Sequence, residues 1–329
     1  MLARQRPALC LLVAVAIFTA ALGSSKIWLD TSIVIAIYSL MAISVGVSYG
    51  QAGILSVAQA AFASIGAYAT AIVTARYGLP SILGLALALT LPALVAYPLA
   101  RVVTRLSPLA LAIATLVFGQ AFDIALREGG DFTGGYIGIS GVPPMSFASS
   151  LFSFHVLSWG VVILVVVLLG NLMNSGFGRA TATVRADSFR AVADGVDVAH
   201  IRSAVLALSA SIAGLGGWLY AHHISYIGPD SLGPAMSLSV LLMAVVGGAR
   251  SILGPVLGAT LLTLIFELIP AQEVQGMFYG GALIIVLILT PNGLFGLFEM
   301  ARRLPRLLAG GRGPAAQTAP GAAASGEPS

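Results

Sequence analysis

Charge is what this chain of 329 residues has least of: Asp, Glu, Lys and Arg together make up 9% of it. A water-soluble domain carries about a quarter of its residues as charges, because its surface must face solvent. An ordinary aqueous globule is therefore excluded. Lysine is nearly missing, with Lys26 standing alone. A phosphate-cradling P-loop needs a lysine directly after a glycine-rich turn, and Lys26 follows none, so a P-loop nucleotide site is excluded too. Cysteine is represented only by Cys10, a small residue in an apolar run, so no disulfide can form within the chain. His155, His200, His222 and His223 accompany no carboxylate motif, and no metal site is expected. No serine elbow or nucleophile–base spacing is present, which argues against a catalytic centre. The formal net charge of +4 has no soluble basic domain to concentrate it, so nucleic acid is an unsuitable partner.

Apolar residues fill the space that charge leaves. They make up 58% of the chain, its mean hydropathy is +0.99, and it carries 38 glycines. Uncharged runs of about 18–22 residues are long enough to cross a hydrocarbon layer roughly 30 Å thick. The pattern predicts an all-α polytopic membrane protein of about 8–10 transmembrane helices, placed in the lipid bilayer. The spans fall near 8–24, 31–49, 54–75, 80–100, 107–126, 156–173, 203–222, 235–249, 252–269 and 276–298. Arg4 and Arg6 before the first run, and Ala21-Leu22-Gly23 after it, imitate a signal peptide. The next run begins so soon that an uncleaved first helix is the better reading. Residues 50–59 and 235–251 mix glycine with polar side chains, which suits broken or re-entrant segments buried in protein or lining a wet cavity. Residues 1–308 form a transmembrane domain, and 309–329, of Gly, Ala, Pro and Ser, a disordered tail.

Arginine distribution sets the orientation. With the N-terminus in the cytoplasm, the inside receives Arg4, Arg6, Arg101, Arg105, Arg179, Arg185, Arg190, Arg202, Arg250, Arg302, Arg303, Arg306 and Arg312. Lys26, Arg76 and Arg127 fall outside. Thirteen against three obeys the positive-inside rule, and both termini are then cytoplasmic.

The densest charge lies in the cytoplasmic loop at about 174–202. Arg179 to Asp194 lacks Gly and Pro and suits a helix, with Phe189, Val192 and Val196 at helical spacing. Asp187 with Arg190, and Arg190 with Asp194, can pair along its polar face. Gly195 supplies a stop and Asp197 a cap for the next helix. The loop either sets topology or docks its apolar face on a cytosolic partner.

Further polar groups stand in apolar surroundings. Gly50, Gln51, Gly53, Ser56 and Gln59 serve as interhelical glue or line a pathway, and a broken helix there can offer backbone groups to a zwitterion. Thr133, Gly134, Gly135 and Gly138 sit in the outer loop 127–155, as a flexible link or an outer gate. Gly247-Gly248 and Gly254-Pro255 flank Arg250 as a tight turn between helices. Asp123 and Glu267 lie near the outer ends of their spans, where snorkelling or a local partner accommodates them.

Six stretches follow one another along the chain: GQAGILSVAQAAFASIGAY from Gly50, TGGYIGISGVP from Thr133, Gly178 to Gly195, SASIAGLGGWLYAHHISYIGP from Ser209, VGGARSILGPVLGA from Val246, and TPNGLFGL from Thr290. In these the chain resembles LivM-type permease subunits of branched-chain amino-acid ABC importers, departing from them at Gln59, Ala186 and Ser188. The resemblance implies an inner-membrane subunit that moves branched-chain amino acids or related small solutes and binds no cofactor itself. ATP and Mg would sit on two cytosolic ATPase subunits, beside a second homologous permease and an extracytoplasmic solute-binding protein. The coupling contact would fall on Arg185, Asp187, Phe189, Arg190, Val192, Asp194 and Gly195, and binding-protein docking on the 133–138 loop. The rival reading, an ion-coupled transporter working alone, needs internal acidic groups of which this sequence has few.

Overall fold

The computed structural model describes residues 6–22, 25–103 and 106–268. The span expected at 276–298, the tail, and Arg4, Arg105, Arg302, Arg303, Arg306 and Arg312 lie outside the described residues. The order of elements is α1 (Arg6–Leu22), α2 (Lys26–Val45, continuing as a π-helix through Gly46–Gln51), α3 (Gln59–Ala71, with a π-helical end Ile72–Arg76), α4 (Ser81–Val103) and α5 (Pro108–Glu128). A single turn α6 (Gly130–Thr133), strand β1 (Ile139–Ser140), α7 (Leu151–Met173), α8 (Gly176–Ala186) and α9 (Ser188–Ala193) follow. Then come α10 (Val198–Ile224), β2 (Tyr226–Ile227), a 3-10 turn (Pro229–Leu232), α11 (Pro234–Gly247) and α12 (Gly254–Leu268).

Among the described residues, six helical stretches are long and apolar enough to cross a membrane: Lys26–Gln51, Ser81–Val103, Pro108–Glu128, Leu151–Met173, Val198–Ile224 and Pro229–Gly247, with shorter apolar helices at Pro7–Thr19 and Gly254–Glu267. Their burial sorts them into layers. In α2, 89% of the most apolar stretch is inside the protein, against 22% in α4 and α5. Helices α2 and α10 are thus the core, and α4 and α5 turn residues such as Leu94, Leu109 and Val117 outward, as lipid-facing helices do.

Small residues let the core helices meet at backbone distance. A Cβ on Gly217 of α10 would lie 1.9 Å from the Ala63 carbonyl oxygen of α3. Only glycine permits that approach, and it replaces the hydrophobic drive that lipid cannot supply between helices. Polar side chains add direction, as where the Trp159 indole donates to Ser32 Oγ at 2.9 Å.

One expectation is met and two change. The break expected at 50–59 is present: residues 53–58 are not helical, Gly53 takes φ +70°, and α3 begins only at Gln59. Residues 235–247, conversely, form a regular helix, and the irregularity is confined to the turn between Gly247 and Gly254. The Arg179–Asp194 helix is split, because Asp187 leaves helical geometry to accept hydrogen bonds from the Phe189 and Arg190 N–H groups and so caps a new helix.

Candidate functional site

Two polar ends face away from each other along α10, whose 27 residues extend about 40 Å. One end carries α8 and α9 with their arginines. The other carries the paired strands, Ile139 opposite Ile227 and Ser140 opposite Tyr226.

At the arginine end, α9 is a one-sided element. Ala191 is fully buried against the body, while Phe189 is 90% exposed and Val192 63% exposed. Gly195 at φ +80° closes the turn, and the Asp197 carboxylate accepts from the His200 N–H to open α10. That bond holds the Asp197 carboxyl below its usual range, with the nearby Arg101 charge acting in the same direction. Arg202 of α10 donates to Ser188 Oγ at 2.8 Å, tying α9 to the core helix.

The same end gathers residues that lie far apart in sequence. The Arg185 guanidinium donates to the Gly50 carbonyl at the irregular end of α2. The Gln51 amide donates to the Arg250 carbonyl at 3.1 Å, and a Cβ on Gly50 would lie 1.7 Å from the Ala249 carbonyl oxygen. Burial, and then the like charge of Arg250, hold Arg185 below the usual arginine range. The surface helices, the break after α2 and the α11–α12 turn therefore form one mechanical junction.

Ser56 and Gln59 lie apart from that junction. The Ser56 hydroxyl accepts from the Ala58 N–H at 3.4 Å, within the non-helical stretch. Gln59 is fully buried, its Oε1 accepting from Ser44 Oγ at 3.0 Å and its Nε2 donating to Ser209 Oγ at 3.1 Å and Ser48 Oγ at 3.3 Å. Ser209 returns a bond to the Ser44 carbonyl at 2.7 Å. This network pins the start of α3 between α2 and α10. Ser44 and Ser48, a turn apart in one apolar run, escaped notice in the sequence because their partner Ser209 lies in another run far along the chain.

The outer-loop residues are ordered at the strand end. Thr133 Oγ1 donates to the Leu126 carbonyl at 2.6 Å and accepts from the Gly135 N–H at 3.3 Å. Gly134 and Gly138 both take φ +78°, and a Cβ on Gly138 would lie 2.3 Å from the Ile227 carbonyl oxygen. Their loop leaves Tyr136 and Ile137 exposed. Arg127 pairs with Asp123 at 2.9 Å and with Asp230 at 2.7 Å, so Asp123 has a local partner. His222 and His223 face different elements: the first contacts Ser81 and the Pro143 carbonyl, the second Asp30 at 3.2 Å.

Residues 27–287 match the family model described as branched-chain amino acid transport system / permease component. The chain is 29% identical over 293 residues to the high-affinity branched-chain amino acid transport system permease protein LivM of Salmonella typhimurium, covering 80% of this chain and 69% of that one. The corresponding protein of Escherichia coli is 28% identical over the same shares. A probable branched-chain amino acid transport permease protein LivM of Methanocaldococcus jannaschii is 25% identical over 203 residues, or 56% of this chain and 59% of that one. No solved structure matches.

Proposed function

The chain belongs to the branched-chain amino acid transport system permease component family, and from that premise we propose that it is the membrane subunit of an ATP-driven importer of branched-chain amino acids. The arginine end faces the cytoplasm of a bacterial-type cell and the strand end faces outward, as the positive-inside rule requires. Two cytosolic ATPases hold ATP and Mg and carry out the hydrolysis. A second homologous permease completes the membrane part, and a solute-binding protein delivers cargo to the loop around Thr133, Gly134, Gly135 and Gly138.

One observation carries this reading: α9 turns Phe189 and Val192 out at the surface while its other face is buried and the adjoining α8 grips the end of α2 through Arg185. A large exposed aromatic beside a rigidly anchored backbone suits a handle that fills a groove on a partner. Arg185, Asp187, Phe189, Arg190, Val192, Asp194 and Gly195 form that handle. Gly50, Gln51 and Gly53 receive its motion, while Ser56 and Gln59 fix the restart of α3. Alternating access follows when ATPase closure moves the junction and the spans reorient around it.

The test is Phe189→Asp in the full assembly reconstituted in vesicles. Uptake of radiolabelled leucine should be lost, because a carboxylate would enter an apolar groove, while membrane insertion is retained. Wild-type uptake by that variant removes the handle. Accumulation by the single chain without nucleotide replaces the whole reading with ion-coupled transport.

A further inference from the structure

Between Thr31 and Ser48 every residue of α2 is buried except Val34 and Tyr38, which lie one helical turn apart. Both open onto a groove of about 800 Å³ between α2, α11 and α12. Its walls keep helical spacing on all three sides, with Met236, Ser239 and Met243 on α11 and Thr263 and Glu267 on α12. Toward the arginine end α11 and α12 close on each other. There a Cβ on Gly258 of α12 would lie 1.8 Å from the Met243 carbonyl oxygen, leaving no space for a side chain or a solute. Toward the strand end it reaches the Asp230 and Glu267 carboxylates.

We propose that this groove is the outward-facing binding site for a zwitterionic solute with an apolar side chain, a proposal that rests on the permease reading above. Its volume falls in the range of small-molecule sites, and its composition is an apolar trough with a few polar groups at fixed positions. The carboxylate of Glu267 is the acceptor for the ammonium group. Ser239 and Thr263 offer hydroxyls to the solute carboxylate, the Ser239 hydroxyl by turning from the Ala235 carbonyl to which it donates at 3.2 Å. Thr263 is the telling member: its Oγ1 is buried and has no hydrogen-bond partner, although a threonine on a helix readily bonds back to its own backbone. A buried hydroxyl without a partner costs free energy that a ligand can recover. The trough between Val34, Met236 and Met243 takes the side chain. Methionine walls adapt to different branched shapes, so the site selects the amino-acid backbone more strictly than the side chain.

The experiment uses the complete assembly in vesicles, with Thr263→Val, which preserves shape, and Glu267→Gln, which removes only charge. Radiolabelled leucine uptake at saturating binding protein should fall about tenfold for Glu267→Gln, the effect of losing one charge-assisted bond. Thr263→Val should fall about threefold, the effect of losing one neutral bond. ATP hydrolysis stimulated by the binding protein should persist in both, showing that assembly and folding survive. In a Cys10→Ser background, Ser239→Cys should react with an impermeant maleimide from outside, and loaded binding protein should protect it. Uptake within twofold of wild type in both variants, or labelling that cargo does not affect, overturns the groove as a solute site. A wild-type assembly that takes up no leucine fails the permease reading instead, so the two failures are distinguishable.

Discussion

Each end of the molecule is organised around an arginine, and the two are held in opposite ways. Arg127, at the strand end, lies between Asp123 and Asp230 and over the Tyr136 ring at 5.6 Å. Its charge is balanced inside the chain. Arg185, at the other end, donates to a neutral backbone carbonyl and has Arg250 for a neighbour, with no ion pair to a carboxylate found among the described residues. Positive charge is therefore left uncompensated where the exposed face of α9 also lies. Arg127 at the strand end is satisfied within the chain, whereas the arginine end leaves charge for a partner to meet.

The largest expected effects test that contrast directly. Arg127→Leu leaves Asp123, whose side chain is only 13% exposed, without its counter-charge. It also releases the tie from α5 to the turn after β2. A buried charge without a partner is strongly destabilising, so this variant should show a large drop in membrane abundance and in thermal midpoint in detergent. Arg185→Leu should leave the midpoint nearly unchanged and reduce ATP-driven uptake about tenfold, since a bond to a charged donor is lost only from the junction. Equal destabilisation by the two substitutions breaks the contrast.

A middle-sized effect separates the two glutamines. Gln59→Leu removes a buried amide and with it the hydrogen bonds to Ser44, Ser48 and Ser209, which should lower stability by about 1–3 kcal/mol. Gln51→Leu, at the edge of the protein, should stay within about 0.5 kcal/mol, as surface substitutions do. Thermal unfolding in detergent reads both. A larger loss for Gln51→Leu would show that the junction, and not the interior network, holds the broken helix together.

Much of this was legible in the sequence, for local reasons. The break near residues 50–59, the Gly195 stop and the Asp197 cap are written in residue types whose effect reaches only a few positions along the chain. The position of the apolar runs followed from length and hydropathy alone. What stayed hidden depends on distance in sequence. The split at Asp187 was missed because the same side chain can pair with Arg190 or cap a helix, and only the folded backbone decides. Gln59 was visible as a polar residue at membrane depth, but its partners come from two other helices, Ser44 and Ser48 from α2 and its continuation and Ser209 from α10. The groove escaped entirely: Tyr38, Ser239 and Thr263 are unremarkable within their own spans and acquire meaning only where three helices splay. The contact of Arg185 with Gly50 likewise joins segments 135 residues apart.

The smallest effect is a pH dependence at the arginine end, and its sign is fixed by Asp197. The carboxylate accepts the His200 N–H, which lowers its folded pKa below the ordinary carboxylate value of about 4. Folding therefore favours the ionised form. The stabilisation is fully present above the unfolded pKa and is lost as pH falls through the folded one. Asp197→Ala should lower the thermal midpoint by a small and constant amount from pH 8 down to pH 5, in units set by a single helix cap. As pH falls below about 4 and through the still lower folded value, the two curves should approach each other, because the wild-type carboxylate takes up its proton over that range. The strand end offers no parallel: Asp123 and Asp230 there are compensated by Arg127, and an Asp197 substitution should leave labelling of the Tyr136 loop untouched at every pH. A gap between the curves that widens in acid means that the cap acts through something other than its charge.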